Sequence, residues 1–117
     1  MKVIIAGGRT FNDYDLLYQN CDKVLRINKN EIEIVSGTAN GADKLGERYA
    51  KEKGYPIKQF PANWDKYGKS AGYKRNEEMA KYADGLIAFW DGKSKGTKHM
   101  IDLAKQYELK VKVFIYD

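Results

Sequence analysis

The first few residues constrain the fold more than any other part of this sequence. Val3–Ala6 is a wholly apolar, mostly β-branched run, and it ends in the pair Gly7-Gly8. A strand without polar alternation is typical of a parallel sheet, because helices cover both of its faces. We therefore predict a central strand here, buried on both sides.

Strand and helix patterns alternate along the rest of the chain. Further strands are predicted at Ile32–Val35, Ile57–Phe60, Leu86–Phe89 and Val111–Ile115, and helices at about 13–28, 42–53, 72–83 and 97–107. Asn12 and Thr97 are the predicted N-caps of the first and last helices. Residues 61–71 predict a long loop with room for one helical turn. Short, right-handed crossovers then give an α/β fold, a three-layer sandwich whose mostly parallel five-stranded sheet carries helices on both faces.

The composition limits the class of protein. A chain of 117 residues suits one domain, here residues 1–117. The single Cys21 excludes an intramolecular disulfide, and one Cys with one His argues against a zinc site, so no metal is expected. No apolar run is long enough for a membrane span, and no secretory signal is recognisable. The expected compartment is the cytoplasm, with no membrane partner.

Basic residues are concentrated in two segments. Seven positive charges, which exceed the net charge of +5, lie at Lys66, Lys69, Lys74, Arg75, Lys93, Lys95 and Lys98. The remainder of the chain is slightly acidic. This distribution predicts a local anionic ligand rather than a broad coating of nucleic acid.

A parallel sheet of this kind binds ligands beyond the carboxyl ends of its strands, where the winding reverses. The loop after the first strand supplies Gly7, Gly8, Arg9 and Thr10 as ligand-binding candidates. The glycines allow a tight turn and a close approach of the backbone to a ligand. The Arg9 guanidinium suits a bidentate contact to a phosphate or carboxylate.

Small and hydroxyl-bearing residues follow the second strand. The candidates here are Ser36, Gly37, Asn40, Gly41 and Asp43. Asp43 falls in the first turn of a helix, where an acid simply complements the helix dipole. Its functional interpretation is an acceptor for a ribose hydroxyl. The residues leave both interpretations open.

The third and fourth helices begin with further ligand-binding candidates. These are Lys74, Arg75 and Asn76, and then Trp90, Asp91, Ser94, Gly96, Thr97 and Lys98. We expect phosphate at Gly96–Lys98, because a helix start without an acid stabilises an anion, and we expect the sugar and base towards Asp43 and Trp90. Asp91 reads either as a catalytic carboxylate or as an Asx-type turn former before Gly92.

Five stretches together carry a family resemblance. They are Gly7–Phe11, Ser36–Asp43, Ala71–Asn76, Ala83–Gly92 and Gly96-Thr97. In this order they resemble the YspA-type, YpsA-related branch of the SLOG superfamily. The resemblance implies a compact Rossmann-like fold that binds a nucleotide or a nucleotide-derived ligand, NAD derivatives included, as a sensor or as a nucleotide-processing enzyme. The superfamily also contains the LOG phosphoribohydrolases and the DNA-processing DprA proteins.

One departure from the LOG pattern concerns catalysis. LOG enzymes carry P-G-G-x-G-T-x-x-E, in which the Glu assists glycosidic cleavage. Gly96-Thr97 match this motif, but Met100 stands where the Glu would be. A methionine neither moves a proton nor stabilises an oxocarbenium ion. An enzyme would need another carboxylate, and the candidates are Asp91 first and Asp43 second.

Three functions follow from these residues. The first is nucleotide binding without a fixed choice between sensing and turnover. The second is an N-glycosidase acting on nucleotides. The third is DprA-like binding of single-stranded DNA, with Tyr67, Tyr73 and Trp90 as stacking surfaces, although the acidic remainder of the chain argues against it. A homo-oligomer is compatible with all three.

Overall fold

The computed structural model describes residues 1–26 and 31–116. In chain order, its elements are β1 Lys2–Gly7, α1 Tyr14–Leu25, β2 Glu33–Ser36, α2 Ala42–Lys53, β3 Ile57–Gln59, α3 Trp64–Tyr67, α4 Ala71–Tyr82, β4 Gly85–Trp90, α5 Lys95–Gln106 and β5 Lys110–Ile115. A single 3₁₀ turn over Gly68–Ser70 joins α3 to α4. The five predicted strands are all present, and every one is parallel to its neighbours.

The sheet has the strand order β3-β2-β1-β4-β5, with β1 at its centre. Ile4 of β1 pairs with Val35 of β2 on one side and with Leu86 of β4 on the other. The chain thus winds outward from β1 to β3 and then returns to the opposite side of β1. The winding reverses between β1 and β4, so a ligand site is expected at the carboxyl ends of these two strands.

Two apolar layers sandwich the sheet, as the alternation of strands and helices predicted. On one face, Val3 and Ile5 of β1 pack with the apolar stripe of α1 and α2. On the other face, Ile4 and Ala6 pack with α4 and α5. Since neighbouring residues of one strand point to opposite faces, the buried part of β1, Val3–Ala6, has to be apolar.

The caps of two helices differ from the sequence prediction. Asp13, not Asn12, caps α1, and its Oδ1 accepts the Leu16 N–H at 3.0 Å. Ser94, not Thr97, caps α5, and the Thr97 N–H is the group that its hydroxyl accepts. The α5 helix consequently begins at Lys95, before the predicted N-cap Thr97. The predicted extension of α1 to residue 28 falls outside the described residues.

The long segment after β3 is ordered by a short helix. Asn63 caps α3, because its Oδ1 accepts the Lys66 N–H at 3.1 Å. Tyr73, in the first turn of α4, is 47% exposed. No helix in the described part of the chain has the length and apolar character needed to cross a membrane.

Candidate functional site

The carboxyl ends of β1 and β4 open into a cleft of about 410 Å³, which we call the first cleft. It lies at the reversal of the winding, where the topology places a ligand. Eleven of the predicted site residues line it: Gly7, Gly8, Arg9, Thr10, Asp43, Arg75, Asn76, Asp91, Ser94, Gly96 and Thr97. Segments distant in sequence are therefore brought together at one edge of the sheet.

The glycine after β1 serves packing as well as the cleft. A Cβ at Gly7 would lie 2.3 Å from the carbonyl oxygen of Phe89 and 2.9 Å from the Ala42 Cβ. The absent side chain therefore lets β1 approach β4 and α2, an approach that the sequence analysis had assigned to a ligand. Arg9 follows in an exposed turn, and this exposed residue lines the first cleft.

The loop after β2 is held by a buried polar relay. The Ser36 hydroxyl donates to Glu47 Oε2 at 2.6 Å and accepts the Thr38 N–H at 3.1 Å. Gln59 Nε2 donates to the other Glu47 oxygen at 3.2 Å. This relay holds Thr38 at φ 65, a conformation that few side chains adopt. Ser36 thus shapes the loop from behind and does not line the cleft.

Asp43 is the buried acid of the site. It is 6% exposed, and its Oδ2 accepts the Ala39 N–H at 3.1 Å. Burial raises the pKa of Asp43 to about 6, while the Ala39 hydrogen bond and the Arg75 charge act in the opposite direction. A carboxyl with this pKa exchanges its proton close to neutral pH, which is the property a general acid needs.

Arg75 and Asn76 tie the loops of the cleft together. Arg75 donates through Nη1 to the carbonyl of Gly37 and through Nε to Asn76 Oδ1, the latter at 3.1 Å. Asn76 in turn donates to the carbonyl of Gly96 at 3.3 Å, and its Nδ2 lies 3.2 Å from His99 Nδ1. The start of α4 is therefore bonded both to the loop after β2 and to the start of α5.

Asp91 forms a turn at the opposite wall. Its Oδ1 accepts the backbone N–H groups of Lys93 and Ser94, both at 2.8 Å. The same bonds, that of Ser94 first, lower the pKa of Asp91 below its usual range. This is the geometry of the Asx-type turn that the sequence allowed. Asp91 still lines the first cleft, but as an ionised acceptor with one oxygen already engaged.

Two helices point acid-free N-termini at the first cleft. Gly72 of α4 and Gly96 of α5 both line it, and neither helix has an acidic residue in its first turn. The first backbone N–H groups of a helix carry a partial positive charge. Two of these groups are already engaged, because the Ala71 N–H donates to the carbonyl of Gly68 and the Thr97 N–H donates to the Ser94 hydroxyl. The helix dipoles, together with Arg9 and Arg75, still make the cleft suitable for an anion.

Other predicted site residues lie elsewhere. Gly37 and Asn40 line a second cleft of about 320 Å³ that adjoins the first. Five others line neither of these two clefts: Ser36, Gly41, Lys74, Trp90 and Lys98.

The three side chains of this group that carry a charge or an indole are engaged elsewhere. Lys98 pairs with Asp102 at 2.8 Å on the outer side of α5, and the Lys74 ammonium lies 4.9 Å from the centre of the Tyr67 ring. The Trp90 indole N–H donates to the Ser94 carbonyl at 3.1 Å, which closes the turn before α5.

The sequence analysis missed part of the lining. Ala39, Trp64, Lys69, Tyr73 and Met79 line the first cleft without having been named as ligand-binding residues for it, although Tyr73 was considered for DNA stacking. Trp64 and Lys69 lie in the segment that follows the carboxyl end of β3. Ligands of parallel sheets bind beyond such strand ends. The mixture of aromatic and basic residues in this segment was the available signal, but the segment has no periodicity that shows which side chains turn inward.

Met100 occupies the floor of the first cleft with 1% exposure. An apolar thioether therefore lines the cleft at the position of the LOG Glu. Among the described residues, no group of three or more His, Cys, Asp or Glu side chains is arranged to hold a metal ion. The chemistry of the site rests on its guanidinium groups, carboxyls, backbone amides and aromatic rings.

Two known proteins resemble this chain over most of its length. The Gene 61 protein of Mycobacterium phage D29 is 32% identical over 111 residues, which cover 90% of this chain and 89% of that protein. The X-ray structure of DNA processing protein A (DprA) from Streptococcus pneumoniae matches with a TM-score of 0.75 at 20% identity, over 99% of this chain. The match spans 50% of that DprA chain, and it shows that the two share a fold.

The family assignment rests on the sequence itself. Residues 1–67, which contain β1, β2 and the loops that follow both strands, match the model of the YspA, cpYpsA-related SLOG family. The described fold, with its cleft at the winding reversal, agrees with the Rossmann-like architecture that the resemblance implied. The chain belongs to the YspA, cpYpsA-related SLOG family.

Proposed function

We propose that this chain binds a nucleotide or a nucleotide-derived small molecule in the first cleft. One observation carries the proposal: two acid-free helix N-termini and two guanidinium groups, Arg9 and Arg75, surround a cleft that also holds the buried carboxyl of Asp43. Guanidinium groups and helix starts around the cleft, with the carboxyl of Asp43 beside Arg75, match a phosphate joined to a ribose. Binding of this ligand is common to a sensor and to an enzyme that converts it.

The arrangement also supports an orientation for the ligand. The start of α5 at Gly96 is the better phosphate site, because α2 already has Asp43 in its first turn. The Thr97 N–H is already accepted by the Ser94 hydroxyl. Lys98 is omitted from this site, since it pairs with Asp102 on the outer side of α5. The ribose then lies beside Asp43.

A thermal-shift and calorimetric titration tests the binding. The panel contains the ribonucleoside monophosphates, NAD derivatives, ribose 5-phosphate and inorganic phosphate. A ligand that binds only the folded state raises the midpoint of unfolding, and we expect this for at least one nucleotide. A short single-stranded oligonucleotide serves as a separate arm. If it alone binds, with an affinity that falls steeply with salt, the DprA-like function replaces the one proposed.

Arg9→Lys is expected to weaken binding of the nucleotide found in this panel. Lysine keeps the charge but loses the planar fork, so the loss is about 1–3 kcal/mol, or roughly 5- to 150-fold in Kd. Calorimetric titration measures it. Arg26→Lys, at the C-terminal end of α1, is the matched control and should leave Kd unchanged. Unchanged affinity in a folded Arg9→Ala variant would remove Arg9 from the site.

An N-glycosidase is the second candidate, and the buried Asp43 favours it. The acid would donate its proton to the departing base as the bond from C1′ to the base nitrogen breaks, with the bonding electron pair leaving on that nitrogen. Water would then add to C1′ and return a proton to the Asp43 carboxylate. Asp91 was placed first by the sequence analysis. Its lowered pKa leaves it ionised near neutral pH, with no proton to donate, and one of its oxygens is already engaged.

Chromatographic detection of free base, after incubation with nucleoside monophosphates and NAD derivatives, tests this second candidate. If the protein cleaves, Asp43→Asn should reduce release by about 100-fold or more, the usual contribution of a positioned acid. Asp91→Asn is the control with the smaller expected effect. Release that survives Asp43→Asn contradicts the assignment, and measurable binding without any release favours a sensor.

A further inference from the structure

The second cleft is continuous with the first along a shared wall. Arg9, Ala39, Trp64 and Arg75 line both clefts. The remaining walls of the second cleft come from the loop after β2, residues 37–40, and from Pro61 and Ala62. A ligand anchored in the first cleft therefore has about 320 Å³ of further space beside the two guanidinium groups.

Trp64 is the aromatic side chain on this shared wall. It is 51% exposed, so its indole has a free surface although the side chain is apolar. The ring is held in place, because the capped helix α3 carries it and its Cη2 atom lies against the start of α4, 3.7 Å from the position that a Cβ of Gly72 would take. A half-exposed tryptophan beside a cleft is typical of a contact surface for a flat ligand.

The loop opposite Trp64 is preformed. The Ser36 hydroxyl, which donates to Glu47, accepts the Thr38 N–H, and Arg75 donates to the carbonyl of Gly37. The backbone of this loop is therefore already in place before a ligand arrives, which reduces the entropy lost on binding. The Thr38 N–H, the Ala39 N–H and the Gly37 carbonyl are engaged within the protein, so the loop offers a planar heterocycle a wall of fixed shape across the same cleft as Trp64.

We propose that the second cleft holds the nucleobase, stacked on Trp64, with the loop of residues 37–40 at the edge of the base. This inference rests on the proposed function, and it follows the orientation with ribose at Asp43 and phosphate at the start of α5. It replaces Trp90, which the sequence analysis had placed beside the base, because the Trp90 indole closes a turn and lines neither cleft.

Titration calorimetry with the four ribonucleoside monophosphates, NAD and ribose 5-phosphate tests the placement. Ribose 5-phosphate carries the sugar and phosphate but has no base. We expect at least one nucleotide to bind more tightly than ribose 5-phosphate. Trp64→Ala should weaken that nucleotide by about 5- to 150-fold, the range for one stacked base, and leave ribose 5-phosphate unaffected.

Two further variants and one optical signal complete the experiment. Trp64→Phe keeps an aromatic face and should retain most of the affinity, while Tyr107→Ala removes another exposed aromatic, at the end of α5, and should change nothing. The nucleotide should quench tryptophan fluorescence in the wild type, and this quenching should be lost in Trp64→Phe.

The outcomes separate the two proposals. If nothing in the panel binds, ribose 5-phosphate included, the proposed function fails, and the base site fails with it. If nucleotides bind but Trp64→Ala keeps their full affinity, or if ribose 5-phosphate binds as tightly as the best nucleotide, only the base site is overturned.

Discussion

Replacing Gly41 by alanine is expected to lower the free energy of unfolding by about 2–5 kcal/mol. Gly41 has φ 81 and ψ −129, a region that only glycine adopts readily. A Cβ there would lie 2.2 Å from the carbonyl oxygen of Gly8 and 2.6 Å from the carbonyl carbon of Arg9. The substitution therefore adds backbone strain and pushes the loop after β2 away from the loop after β1.

Urea unfolding of the wild type and of Gly41→Ala measures this difference. Gly54→Ala is the matched control, because Gly54 also has a positive φ, 77, but nothing lies within 4 Å of its Cβ position. It should cost about 1 kcal/mol, the penalty for the left-handed conformation alone. If Gly41→Ala proves no less stable than Gly54→Ala, the close packing between the loops after β1 and β2 does not contribute to the free energy of unfolding.

The free energy of unfolding should fall by about 3 kcal/mol as pH rises from about 3 to about 7, owing to Asp43 alone. Burial raises the pKa of Asp43 from its ordinary value of 3.8 to about 6 in the folded protein. The folded state thus holds the Asp43 proton more tightly than the unfolded state. This contribution is fully present below the unfolded pKa, is lost as pH rises through the folded pKa, and is constant above it.

Asp43→Asn should remove this slope and be more stable than the wild type at pH 7, because an amide oxygen can still accept the Ala39 N–H. Denaturant unfolding of both proteins at a series of pH values gives the comparison. Asp91→Asn is the control. Because the pKa of Asp91 is lowered in the folded protein, its contribution to the free energy of unfolding changes with pH only below about pH 4. A wild-type slope that persists in Asp43→Asn would show that Asp43 is not the group responsible.

The destabilisation that the buried Asp43 carboxyl causes at neutral pH bears on the role of this residue. A buried carboxyl whose pKa is raised destabilises the folded protein at neutral pH, and a neutral side chain of the same shape would avoid that loss. Groups of this kind concentrate at functional sites, where the chemistry requires them. The proposals that Asp43 receives a ribose hydroxyl or donates a proton are both consistent with its place at the cleft.

Most of the fold was predictable from local patterns. The apolar run Val3–Ala6 predicted a central strand buried on both faces, and it is the middle strand of the sheet. All five strands were located to within about two residues, because short runs rich in apolar residues between the helical patterns signal them directly. The helix starts were less accurate, since Asn12 and Asp13, or Ser94 and Thr97, are equally good caps by residue type. Backbone geometry alone selects between them.

The candidate site was predictable in its location but not in the role of each residue. The rule that ligands bind at the reversal of the winding brought eleven candidates to one cleft. It did not show that Lys98 turns outward to Asp102, or that Trp64 instead of Trp90 faces the cleft. Trp90 ends β4 and Trp64 lies five residues beyond β3, and the direction of each ring depends on packing between segments far apart in the sequence.

Local sequence patterns predicted the succession of strands and helices along the chain, the parallel sheet and the edge at which polar and basic residues collect, because periodicity and turn residues are local properties. Which carboxyl is buried depends on the tertiary structure. Asp43 lies seven residues beyond β2 and Asp91 directly follows β4, yet Asp43 is 6% exposed and Asp91 has one oxygen engaged by two backbone N–H groups. A pKa depends on burial and on neighbours from other segments, which no local pattern specifies.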